Sequence, residues 1–146
     1  MGWPACTSVQ VAVISATGGQ PKFLTNEPGD NWQPAWSPDG TRIAYVSDIT
    51  GTNEVWVMSS DGILNGNLPT QLTFSSTKTN LMPRWSQDGR YIIWLTVAPD
   101  YTVNLNMMDP NDRSSQQSYG PALPHAGTNY TDPTLSTSRC RRFDSL

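Results

Sequence analysis

The chain has 146 residues, a formal net charge of −3 and 14% charged residues, long enough for one ordinary domain with a real core. So low a charged fraction argues against a disordered tail or a solvated helical bundle. The basic residues are scattered, apart from Arg139, Arg141 and Arg142, which argues against a nucleic-acid partner. With 12 Pro and 11 Gly, the chain is turn-rich and suits many short strands better than long helices.

In chain order, the opening "MGWPACTSVQVAVISATGG" lacks the basic n-region of a signal peptide. No apolar run approaches the ~20 residues of a membrane helix, so no membrane span is expected. Within that opening, "VAVISATGG" (11 to 19) predicts an outer strand. The next unit predicts four strands: A near Pro34–Ser37, B near Arg42–Ser47, C near Glu54–Met58 and D near Gln71–Phe74. Ser37-Pro38-Asp39-Gly40 forms the A–B turn. Proline presets φ at its first corner, and Gly40 is expected at φ > 0. In the second hairpin Gln87 replaces the proline, and Asp88-Gly89 keep the demanding positions. Strand B, "IAYV" in one hairpin and "YIIWL" in the next, is apolar without alternation. Both of its faces should therefore be covered.

The chain repeats itself. Pro34, Pro83 and Pro133 are spaced 49 and 50 apart. Trp36, Trp85 and Leu135 follow them, and Asn31, Asn80 and Asn129 precede them. Leu24, Leu72 and Leu123 mark a further recurring position. A period of about 44 to 50 residues with four strand-like runs per unit points to propeller blades stacked face to face. The expected fold is all-β: a partial or half propeller of four-stranded antiparallel blades, forming a single domain over 1–146. Its units are a half blade at 9–25, blades at 31–74 and 80–124, and a half blade at 129–146.

The string "WSPDGTRIAYVSD…EVWVMSSDG…QLT" resembles the blade repeat of TolB-type β-propellers, and the likeness runs over roughly residues 10 to 136. Similar blades occur in tricorn-like and prolyl-oligopeptidase-type proteins. The resemblance implies a propeller of six or more blades, and a periplasmic or secreted setting. It carries over no catalytic residue, because the blade motif is structural. About three blades leave apolar faces and strand edges unpartnered. A protein partner, or another copy of the chain, is therefore expected to complete the propeller. The terminal halves are complementary, so two copies would give six blades with two-fold symmetry.

In propellers the D–A and B–C loops share one face. Here the D–A loops are 26–31, 75–80 and 125–129, and the B–C loops are 48–54 and 97–103. They gather Asp30, Asn31, Asp48, Glu54, Asn80, Asp100 and Asn129 as candidate ligand-binding residues, with Glu27 beside them. The three asparagines are also where a side-chain turn cap is expected. Ser75, Lys78 and His125 are the candidate catalytic residues. Ser75-Ser76-Thr77-Lys78 fits S-x-x-K, in which an amine one helical turn away takes the hydroxyl proton. The S-D-N and K-T-G partners of that motif are absent, as is any G-x-S-x-G.

No cofactor is expected, and no metal, since neither a His/Cys cluster nor a Ca-loop pattern occurs. Cys6 and Cys140 are either free thiols or one bridge between the termini. Asn129-Tyr130-Thr131 is a glycosylation sequon, meaningful only in a secreted eukaryotic chain. Most of the six tryptophans are assigned to blade cores, with Trp3 and Trp32 expected at the surface. The functional expectation is a binding or scaffold module acting on a protein or small ligand through the loop face. The alternative is a serine-type hydrolase, or the propeller part of one.

Overall fold

A computed structural model describes residues 8–63 and 66–121. His125, Asn129, Cys6, Cys140 and the expected last half blade lie outside these residues. Ten strands run in chain order: β1 (Ala12–Val13), β2 (Lys22–Phe23), β3 (Asn31–Trp36), β4 (Arg42–Ser47), β5 (Glu54–Ser59), β6 (Thr70–Gln71), β7 (Thr79–Trp85), β8 (Ile92–Val97), β9 (Val103–Asp109) and β10 (Asp112–Pro121). They form two four-stranded antiparallel sheets, β3-β4-β5-β6 and β7-β8-β9-β10, and a two-stranded β1-β2 pair. No α-helix occurs among the described residues, and no helix is long and apolar enough to cross a membrane. The architecture is the all-β stack of propeller blades that the repeat predicts.

The stacking explains the unbroken apolar runs. Ile43 and Tyr45 of β4 pack into one cluster with Val11, Leu24 and Met58. Ala44, on the opposite face of β4, joins Val55, Val57, Leu72, Ile92, Trp94 and Met108. The first sheet therefore lies between two cores, one shared with the β1-β2 pair and one with the second sheet. Each fully buried aliphatic or aromatic side chain in such a position contributes roughly 1.5–3 kcal/mol.

Both inner strands carry a bulge at the same place. The register shifts between Trp32 and Ala35 in one and between Leu81 and Arg84 in the other. Gln33 and Met82, corresponding residues 49 positions apart, adopt φ of 49° and 55°. The Gln33 side chain then reaches the next sheet, where its Oε1 accepts the Met82 N–H at 2.8 Å. Trp85 closes the same seam. Its Nε1 donates to the Ala35 carbonyl at 3.1 Å, and the Arg42 guanidinium stacks 4.6 Å from its ring centroid.

Trp36, the counterpart of Trp85, departs from its expected place in a core and is 50% exposed. It pairs with Ile43, which packs toward the β1-β2 pair, and among the described residues that pair has no inner strands for the ring to pack on. Trp32 is exposed, as expected. The second sheet departs from the first at its outer edge. A tight turn at Pro110-Asn111 leads straight into the long β10, whereas residues 60–69 separate β5 from β6.

The repeated Ser-x-Asp-Gly turn is a hydrogen-bonded box. Ser37 Oγ donates to Asp39 Oδ1 at 2.6 Å and accepts from Arg42 N at 2.9 Å. Asp39 Oδ1 also accepts from Thr41 N at 3.0 Å. Ser86, Asp88 and Arg90 repeat the pattern, and Gly40 and Gly89 have φ of 69° and 70°. Nothing in this box needs the proline, so Gln87 is tolerated.

Two predictions follow from these turns. The Ser37 hydroxyl first, then the Thr41 amide and hydroxyl, hold the Asp39 pKa down to about 2, and Asp88 is lowered chiefly by Ser86. A carboxylate depressed in the folded state contributes stability that is complete above its unfolded pKa of about 4 and is lost as pH falls toward 2. Asp39→Asn should therefore flatten the acid limb of urea midpoints in that window. An unchanged acid limb would contradict the box.

The second prediction contrasts two glycines. A Cβ on Gly40 would meet nothing within 4 Å, whereas one on Gly62 (φ 85°) would lie 2.9 Å from the Leu24 carbonyl oxygen. Gly40→Ala should lose about 1 kcal/mol from its left-handed backbone. Gly62→Ala should lose distinctly more in denaturant unfolding.

Candidate functional site

Glu54 opens β5 with a side chain only 1% exposed, between the two sheets. Its Oε1 accepts the Ser75 N–H at 2.6 Å. Its Oε2 accepts the Thr73 hydroxyl and, at 2.9 Å, Asn80 Nδ2. Asn80, on β7, turns its Oδ1 toward Trp94 Nε1 at 3.0 Å and the Thr96 hydroxyl at 2.7 Å. Indole N–H only donates, so it fixes which end of the Asn80 amide points where. Thr96 Oγ1 in turn accepts Asn106 Nδ2 at 2.8 Å. A directed chain of bonds thus runs from Asn106 through Thr96 and Asn80 to the buried carboxylate.

The corresponding position on the other side of the first sheet is built from weaker parts. Gln10 stands where Glu54 does, and its Oε1 accepts Asn31 Nδ2 at 3.3 Å. Asn31 Nδ2 also lies 3.2 Å from the Gly29 carbonyl, a local turn contact of the kind the sequence suggests. Tyr45 replaces the tryptophan donor and Ser47 the threonine. The buried Asn31 Oδ1 is consequently left without a donor.

The remaining candidates sit in their loops. Asp48 Oδ1 accepts Asp30 N at 2.8 Å, and Asp30 Oδ1 accepts Val9 N at 2.7 Å. Asp100 Oδ1 accepts Thr102 N at 3.0 Å. Its pKa is lowered first by that bond and last by the charge of Lys78. Ser75 Oγ accepts two backbone N–H groups, from Thr77 at 3.3 Å and Lys78 at 2.8 Å. The S-x-x-K spacing here is the spacing of a turn rather than of a helix. Among the described residues no three His, Cys, Asp or Glu side chains converge to hold a metal.

Ser75, Lys78 and Asn80 do come together, on one side of a cleft of about 380 Å³ between the 73–78 loop and the outer strands of the second sheet. Asp30, Asn31 and Asp48 lie apart from it, around the first sheet's other seam, and Glu54 lies beneath it. The opposite wall, Asn104, Asn106, Gln116 and Ser118, is absent from the sequence expectations. One signal for it was present: Asn104 and Asn106 put two amides on the same face of a strand whose first-sheet counterpart reads "EVWVM".

The family model described as TolB beta propeller domain matches residues 6–129. The chain belongs to this family. A TolB homolog from Protochlamydia amoebophila is 43% identical over 35 residues, which are 24% of this chain and 8% of that protein. A TolB-type structure from Agrobacterium tumefaciens superposes with a TM-score of 0.64 at 21% identity, over 77% of this chain and 42% of that one. The β-propeller domain of the Trilobed protease from Pyrococcus furiosus gives 0.55 at 14%, over 77% and 34%. At such identities the structural likeness is one of fold. The chain spans less than half the length of each of these proteins.

The two asparagines separate the two seams energetically. Asn80→Ala leaves Glu54, Trp94 and Thr96 each short of a partner, and a loss of about 2–3 kcal/mol is expected. Asn31→Ala removes two longer contacts and an oxygen that already lacks a donor. It should cost clearly less by chemical denaturation.

Proposed function

We propose that this chain is a propeller-type binding or scaffold module that contacts a protein or small ligand through its loop face. The observation that carries the reading is how the loop face divides its polar groups. The hydroxyl of Ser75 and the carboxylates of Asp30, Asp48 and Glu54 are engaged in holding backbone and seam. Across the cleft, Asn104, Gln116 and Ser118 present two amides and a hydroxyl along an open wall, with the bonded Asn106 among them. Such a surface is suited to recognition, whereas a nucleophile needs its hydroxyl bonded to a base.

A hydrolase is the competing reading, and it is directly testable. The purified chain should show no turnover of p-nitrophenyl acetate above the blank and no labelling by a fluorophosphonate. Labelling that disappears in Ser75→Ala would overturn the binding reading.

The exposed Trp36 supports a completing partner. Trp85 shows what such a ring packs on: a neighbouring inner strand that offers a carbonyl oxygen. A second copy of the chain, supplying the blades that close the ring, would cover it. Light scattering should then give twice the 16.1 kDa of one chain, falling to one chain in Trp36→Glu. A Trp36-independent monomer would leave a different protein as the completing partner.

A further inference from the structure

We propose that the cleft between the Phe74–Lys78 loop and the outer strands of the second sheet is a saccharide site. The proposal rests on the loop-face binding reading and names a ligand class for it. Asn106 provides the first argument. It is 3% exposed, and Nδ2 donates to Thr96 Oγ1 at 2.8 Å and to the Asn104 carbonyl at 3.2 Å. Its orientation is forced, because the Thr96 hydrogen goes to Asn80 Oδ1 and Thr96 Oγ1 must then accept. Asn106 Oδ1 is therefore an acceptor with no donor among the described residues, on a side chain that lines the cleft, where a ligand hydroxyl can donate to it.

The lining provides the second argument. Phe74 is the one apolar side chain in it, and the others are hydroxyls, amides and Lys78. No apolar recess exists to anchor a peptide side chain, which is how clefts of this size commonly gain affinity. Hydroxyl and amide groups both donate and accept, as the hydroxyls of a sugar do.

Phe74 provides the third. It stands at the rim, 67% exposed, with the Arg113 guanidinium 5.5 Å from its ring centroid. The guanidinium covers one face of the ring, and a face free of it suits the C–H side of a sugar ring. A volume of about 380 Å³ accommodates roughly one to two such rings.

The test is a titration of the full chain, followed by the side-chain amide signals in ¹⁵N–¹H NMR. The probes are cellobiose, maltose, N,N′-diacetylchitobiose and trialanine amide. At least one disaccharide should shift the Asn104 and Asn106 amides saturably. Phe74→Ala, at an exposed position that leaves folding intact, should weaken that binding by about tenfold. Saturable shifts that survive Phe74→Ala undiminished would overturn the site, and so would the absence of saturable shifts with all three sugars. Saturation by trialanine amide alone would overturn the ligand class while leaving the loop-face reading standing. Serine-probe labelling at Ser75 would instead remove the reading beneath it.

Discussion

A carboxyl group between two sheets must find hydrogen-bond partners for both oxygens, since burying polar atoms without them is costly. Glu54 meets this requirement with neutral groups only. Thr73 and the Ser75 amide come from the chain just after β6, and Asn80 from the first strand of the next sheet. The one residue thus ties three pieces of chain that are up to 26 residues apart. The path of the 73–78 loop follows from the Ser75 bond, and the position of β7 follows from Asn80. The cleft exists because that loop stands off the outer strands of the second sheet, while its floor is fixed by the Asn80–Thr96–Asn106 chain.

The repeat reuses one position for this task and varies the chemistry. Gln10, Glu54 and Asn104 occupy equivalent places at the start of a third strand. The glutamine reaches neighbouring carbonyls at 3.1 and 3.4 Å and accepts a long bond from Asn31. The glutamate holds Thr73, Ser75 and Asn80 at 2.5 to 2.9 Å, with the Thr52 hydroxyl at 3.0 Å. Asn104 is too short to copy either arrangement, and it lines the cleft instead. A shared architecture therefore holds seams of unequal strength, and its polar opening lies where the third version of the residue falls short.

The fold was legible because its signals are local. Asp39-Gly40 dictates a turn within four residues, and the apolar run from Ile43 to Val46 announces a strand covered on both faces. The asparagine spacing was equally visible, but its meaning was not. Asn31 keeps a local turn contact, whereas Asn80 serves a glutamate in another sheet, and no local pattern identifies that partner. The S-x-x-K match in 75–78 arose from the spacing of a serine turn, where a backbone N–H rather than the lysine amine meets the hydroxyl. Trp36 was among the tryptophans expected in blade cores, and it is half exposed. Its exposure depends on which strands stand beside it, a property of assembly rather than of sequence. The wall from Asn104 to Ser118 stayed hidden because amides on an outer strand read as ordinary surface until a loop is placed opposite them.

Amide hydrogen exchange at Ser75 tests most directly whether Glu54 organises the seam. Ser75 lies in a loop between β6 and β7, yet its N–H is bonded to a buried carboxylate. It should exchange only on the timescale of global unfolding, in step with the core amide of Val55, while the neighbouring Ser76 amide exchanges far faster. Exchange of Ser75 as rapid as that of Ser76 would mean that the carboxylate does not hold the loop, and would contradict the account.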